Sequence, residues 1–182
     1  MGKFATDIAK YKKYSGKNSL VLLLTQQGLW ALFVYRTGNA IYRSAIPSFV
    51  KSFVLLFWVL WQKWIEIVTG ISIPYSASIG HSFYIGHFGG IIINANAKIG
   101  TNCNISQGVT IGVSGRGKKR GVPVIGNNVY MGARATIAGN ITVGDDVVIG
   151  ANSLVVKDVV NGITVVGVPA TQVSTHDSSA YI

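Results

Sequence analysis

The feature that most constrains this chain is a six-residue repeat. Ile73, Ile79, Ile85 and Ile91 are spaced by six, and Ile93, Ile99, Ile105 and Ile111 follow in a shifted register. Ile125, Met131, Ile137, Val143, Ile149 and Val155 resume the pattern after a polar, glycine-rich interruption. Four places on, the residue is often small or branched, as at Ala77, Cys103, Val129, Ala135 and Ser153. A period of six fits neither the 3.6 of an amphipathic helix nor the 2 of a half-buried strand. It fits a short extended segment plus a turn per step, three steps closing one triangular coil of about 18 residues with its aliphatic side chains stacked inside. The expected fold class is mainly β, a parallel β-helix of hexapeptide repeats over residues 71–173.

Two slips interrupt the ladder. Gly89-Gly90 insert two residues just after His87. Ile111 to Ile125 is fourteen residues where two steps need twelve, and the stretch 114–121 is too basic and glycine-rich to stack inside. It reads as a loop, 114–123, thrown out from the coil in the manner of binding insertions. The pattern frays at Lys157-Asp158 and closes with Gly167-Val168-Pro169-Ala170, leaving 174–182 as an expected mobile tail.

Residues 1–70 lack the repeat and read as an α-helical amino-terminal segment. One helix is expected over 20–46, and Pro47 opens a second over 48–69. The second contains nine consecutive apolar residues, Phe53 to Trp61, flanked by Lys51 and Lys63. Nine is short of the ~20 needed to cross a bilayer. A helix apolar nearly all round either packs on several sides, as in trimer contacts, or rests in a membrane interface. Residues 1–72 carry nine Lys/Arg against Asp7 and Glu66, most of the net charge of +10. Without a zinc finger, basic helix or aromatic-basic RNA motif, nucleic acid is not the expected partner; anionic lipid or a phosphorylated ligand is. The expected location is cytoplasmic, with peripheral contact on the inner face of the membrane through residues 20–69.

Cys103, the only cysteine, excludes an intrachain disulfide and falls in a small-residue slot of the repeat. His81 and His87, six apart, lie on different faces of a triangular coil, so no shared metal site is expected.

The stretches Ile85-Gly86-His87-Phe88-Gly89-Gly90, 104–112 and 150–158, with Gly167-Val168-Pro169-Ala170, resemble the hexapeptide-repeat acyltransferases, most closely their serine acetyltransferase branch. The resemblance covers about 70–173. It implies a left-handed β-helix, a homotrimer, and acetyl-CoA bound between neighbouring subunits. It also implies His87 as general base. The branch's Asp before that histidine falls on Gly86, its orienting Asp on Ser72, its Arg-His pair on Gly121-Val122 and an acceptor-side Glu on Ala95. With these four changed together, the expected acceptor is a sugar hydroxyl of a lipid-linked saccharide in polysaccharide biosynthesis. Serine O-acetylation in cysteine biosynthesis is the nearest rival, and a non-catalytic β-helix docking protein is the reading of another class.

Moving an acetyl group from a thioester to a hydroxyl needs a base, oxyanion donors and a positioned thioester. Gln107, one coil plus two glycines beyond His87, is assigned to the acceptor with Ser72 and Asn94. The resemblance places Ala133 and Ala151 along the pantetheine channel and Lys157 on a CoA phosphate. Gly112, Ser114, Arg116 and Arg120 join them as cofactor-binding residues, with Lys118, Lys119 and Arg134 as further sources of charge.

Overall fold

The computed structural model describes residues 2–117 and 120–182. Lys118 and Lys119 lie outside the described residues. Four helices, α1 (Lys3–Ser15), α2 (Ser19–Thr25), α3 (Gln27–Arg43) and α4 (Ser48–Thr69), precede the strands. The first coil is β1 (Ile71–Ser72), β2 (Ser78–Ile79) and β3 (Tyr84–Ile85); the second is β4 (Ile91–Ile93), β5 (Lys98–Ile99) and β6 (Asn104–Ile105). The third is β7 (Thr110–Gly112), β8 (Val124–Ile125) and β9 (Tyr130–Met131); the fourth is β10 (Thr136–Ala138), β11 (Thr142–Val143) and β12 (Val148–Ile149). Then come β13 (Leu154–Val155), β14 (Thr164–Gly167) and β15 (Ala170–Ser174). The strands form three sheets, β1-β4-β7-β10-β13, β11-β8-β5-β2 and β15-β14-β12-β9-β6-β3, parallel except for β15. This is the parallel β-helix the repeat predicts, in keeping with the left-handed form implied by the resemblance.

Each ladder position points inward. Ile73, Ile93, Ile111 and Ile137 line the first face, Ile79, Ile99, Ile125 and Val143 the second, and Ile85, Ile105, Met131 and Ile149 the third, all buried. Truncating any such ladder isoleucine to alanine costs about 2–5 kcal/mol, because a rigid backbone ladder collapses poorly around the hole.

The register locates both slips. Ile71 pairs with Ile91, twenty residues on, whereas Ile93 pairs with Ile111, eighteen on. Gly89-Gly90 supply the two extra. Gly70, at φ +65°, ends α4, and a Cβ there would fall 3.0 Å from Gly89 Cα. The larger slip differs from the sequence expectation. Lys98 pairs with Val124, twenty-six residues on, so Ile111 to Ile125 is one step plus eight residues rather than two steps plus two. Ser114 and Gly121 bridge antiparallel across the neck of that loop.

The helices cap the lower end of the coil, where unpaired strand edges would otherwise be left. Tyr11 Oη donates to Ile85 O and accepts from Ile85 N; Tyr35 Oη does the same with Ala77 O and Ile79 N. Arg36 forms a buried two-point ion pair with Asp7 and donates to Ile79 O and Gly80 O, while Asp7 accepts from Phe83 N. These contacts explain the helix that periodicity missed. The buried face of α1 is Asp7, Lys10 and Tyr11, at helical spacing but polar. The helix expected over 20–46 is two, broken at Gln26 (φ −106°, ψ 103°).

The upper end is closed by β15, antiparallel to β14. Residues 174–182, expected as a mobile tail, instead lie down the third face. Ser178 is buried and donates to Asn128 O, Tyr181 stacks on Tyr130 at 4.6 Å, and Tyr181 O accepts from Asn104 and Tyr14. A serine side chain and two aromatic rings hold a segment too polar to signal packing by hydropathy.

Candidate active site

Two corners of the triangle carry the candidate residues. At the corner joining the third face to the first, the registers Ile85↔Ile105, Ile105↔Met131 and Met131↔Ile149 place His87, Gln107, Ala133 and Ala151 at equivalent positions on successive coils. Backbone bonds tie this column together: Arg134 N to Gln107 O and Asn152 N to Ala133 O. Arg134 and Asn152 take left-handed φ there, 59° and 57°. His87 and Gln107 are both exposed, as a base and an acceptor-facing amide require.

His87 borders a hollow of about 260 Å³ with Tyr84, Asn104, Ser106 and Tyr130. Asn104 is buried, and its amide nitrogen donates to Tyr14 Oη and Tyr181 O. A carbonyl accepts only, which fixes the nitrogen on that side. Asn104 Oδ1 is buried and receives no hydrogen bond among the described residues. A buried acceptor left unmet costs roughly 1–3 kcal/mol. Asn104 was not singled out from sequence; its only signal was a polar residue immediately before a ladder isoleucine.

Ser72, on β1 of the first face, donates a 2.9 Å hydrogen bond to Glu66 Oε1. Glu66 also accepts from Gln62 and Lys63. Burial works against its charged form, but the three side-chain hydrogen bonds outweigh that and hold its pKa below the ordinary glutamate value. Sequence reasoning passed over Glu66, although it is the only acid between residues 8 and 144. Asn94 accepts from Asn96 N, which gives it a turn-closing role at the other corner.

That other corner joins the first face to the second. A cleft of about 440 Å³ there is lined by Ser114 and Gly115 from the loop neck, Gly139 and Asn140, and Lys157 and Asp158. Gly112 leads into the loop at the end of β7, and Arg116 and Arg120 are exposed on the loop itself. This cleft therefore joins Ser114 and Lys157, forty-three residues apart in sequence. Backbone groups, a hydroxyl and a lysine beside two mobile-length arginines suit a pantetheine arm and phosphates. Ala133 and Ala151 lie apart from it on the first corner column. His81 is exposed at a third position, the turn between β2 and β3. Among the described residues no three His, Cys, Asp or Glu side chains gather as a metal site. Cys103 is buried, and burial pushes its thiol up to about 11.

A stacked β-helix with open corners and an extruded basic loop defines the chain as a hexapeptide-repeat transferase, and the family described as bacterial transferase hexapeptide (six repeats) matches residues 123–157. The serine acetyltransferase of Helicobacter pylori is 36% identical over 160 residues, covering 88% of this chain and 89% of that one. The serine acetyltransferase of Synechococcus elongatus is 35% identical over 155 residues, 85% of this chain and 60% of that one. The solved structure of Brucella abortus serine acetyltransferase in complex with coenzyme A superposes with TM-score 0.83 at 27% identity, covering 96% of this chain and 67% of that one. The chain belongs to the serine acetyltransferase family. It spans about 60% of the length of the cyanobacterial relatives it matches.

These relatives overturn the expectation of a sugar acceptor in polysaccharide biosynthesis. That expectation counted missing side chains at single sequence positions. It could not see that the carboxylate beside Ser72 comes from α4.

Proposed function

We propose that this protein is an acetyl-CoA-dependent serine O-acetyltransferase working as a homotrimer in the cytoplasm. The observation that carries the reading is the 36% identity to a serine acetyltransferase over nearly nine-tenths of both chains. In this reading His87 accepts the proton of the serine hydroxyl as its oxygen attacks the thioester carbonyl carbon. The tetrahedral adduct collapses, the carbon–sulfur bond breaks, and the imidazolium returns the proton to the departing CoA thiolate. Glu66 acts through Ser72 where the branch has a carboxylate. Gln107 stands one coil above the base.

The cleft at Ser114, Gly115 and Lys157 fits CoA by its chemistry, with Arg116 and Arg120 near enough in sequence to meet phosphate. His87 and this cleft stand on opposite corners flanking the first face. A neighbouring subunit bringing its loop corner to the His87 corner would unite them, which supports a trimer with sites between subunits.

Free-thiol release from acetyl-CoA with L-serine tests the reading. Turnover is expected, and His87→Ala should lower it about 10²- to 10⁴-fold. Wild-type turnover in that variant, or no release with serine, would overturn it.

A further inference from the structure

The helix α4 is amphipathic in the wrong sense for a water-facing surface. Its inward stripe is Leu55, Trp58, Gln62, Ile65 and Thr69, at alternating spacings of three and four. The Trp58 indole donates to Val34 O, fixing this stripe on α3. The outward stripe is Phe49, Phe53, Leu56, Leu60, Trp64 and Ile67, from 60% to 82% exposed. A surface helix normally turns charged residues outward, and an apolar patch this long marks a contact. Leu20 and Leu24 of α2 are exposed as well. Between α2, α3 and α4 an apolar hollow of about 380 Å³ is lined by Leu23, Trp30, Phe33 and Trp61.

Charge selects the occupant. Residues 8–65 contain eight Lys/Arg and no Asp or Glu. Lys10 and Arg36 are buried, which leaves Lys12, Lys13, Arg43, Lys51 and Lys63 on the helices and Lys17 in the turn between α1 and α2, with Lys63 paired to Glu66. A second copy would set this basic surface against itself, whereas an anionic bilayer offers both acyl chains and negative headgroups. The 22 residues of α4 are enough to span a membrane by length and composition. Its packing against α3 and β1, with the Trp58 indole bonded to Val34 O, makes it lie flat instead.

We infer that the outward faces of α4 and α2 dock this protein on an anionic lipid surface, with the β-helix held clear in water. Direct lipid contact by Trp64 and the attraction of the lysines should both be measurable.

The full chain is mixed with vesicles of phosphatidylcholine alone, or of phosphatidylcholine with phosphatidylglycerol, and pelleted. Binding to the anionic vesicles is expected, weakened by salt, with a blue shift of tryptophan emission. A Phe53→Ser/Leu60→Ser/Ile67→Ser variant should lose about tenfold or more in partitioning, given three large apolar side chains withdrawn. Its circular dichroism and serine-dependent thiol release should match the wild type. Lys17→Glu, at an exposed turn, should weaken binding without touching the apolar face. Absence of vesicle binding by the wild type would overturn the inference. So would unchanged binding of the triple variant, or a change in its lipid-free sedimentation that makes the face a contact between copies.

Discussion

Ser72 Oγ lies 2.9 Å from Glu66 Oε1, joining the first strand of the β-helix to the last turn of the helix before it. The bond brings a carboxylate to the first face. Glu66→Gln keeps an acceptor for Ser72 and removes only the charge. It should lower kcat for serine acetylation by about tenfold, equivalent to about 1.4 kcal/mol of transition-state stabilisation. An unchanged kcat would show Glu66 to be structural only.

Lys157 lines the cleft with Ser114. Lys157→Ala should raise KM for acetyl-CoA several-fold while leaving KM for serine unchanged. A solvated lysine outside the cofactor path would move neither.

Arg36 meets a buried Asp7 and two backbone carbonyls of the first coil. Arg36→Met leaves the Asp7 carboxylate buried without its cation. This should cost about 3–5 kcal/mol in chemical denaturation, with the unfolding midpoint falling accordingly. A loss within experimental scatter would mean that the cap is dispensable.

Lys10 donates to Asn102 O and Oδ1, and burial lowers its pKa to about 8. Unfolded, it titrates near 10.5, so between these values the unfolded chain holds the extra proton and rising pH favours folding. Cys103 acts oppositely: its thiol is raised to about 11 from 9.0, so stability is lost as pH climbs through that window. The Lys10→Met variant should lack the upward contribution between about pH 8 and 9, seen as a flatter melting temperature against pH. Parallel curves for the two proteins would contradict the assignment.

Cys103 should resist disulfide-exchange reagents in the native protein and react fully in denaturant, because the thiolate that reacts is suppressed by burial. Colorimetric thiol assays of CoA release would then need no correction for the enzyme. Rapid native labelling would indicate that the second coil opens.

The coil was legible because one physical requirement, an aliphatic side chain per step, repeats from Ile73 to Val155 with only two slips. The helix α1 was not, because its buried face is built from Asp7, Lys10 and Tyr11, whose role is to satisfy strand edges. His87 and Lys157 were singled out through the family resemblance. Glu66 and Asn104 were not: Glu66 meets Ser72 across the junction between α4 and β1, where the helical and six-residue periods change over, and Asn104 meets Tyr181, far along the chain. The acceptor was misjudged because four changed positions were weighed above the likeness of the whole chain to serine acetyltransferases.

The Ser114–Gly121 bridge closes the extruded loop at its neck, and the ladder resumes on the next face as though nothing had been inserted. Loop length is thereby uncoupled from coil geometry. Residues between those two anchors can be exchanged for longer or shorter sequences without re-threading a single rung, which makes this corner a modular socket on an otherwise unforgiving scaffold.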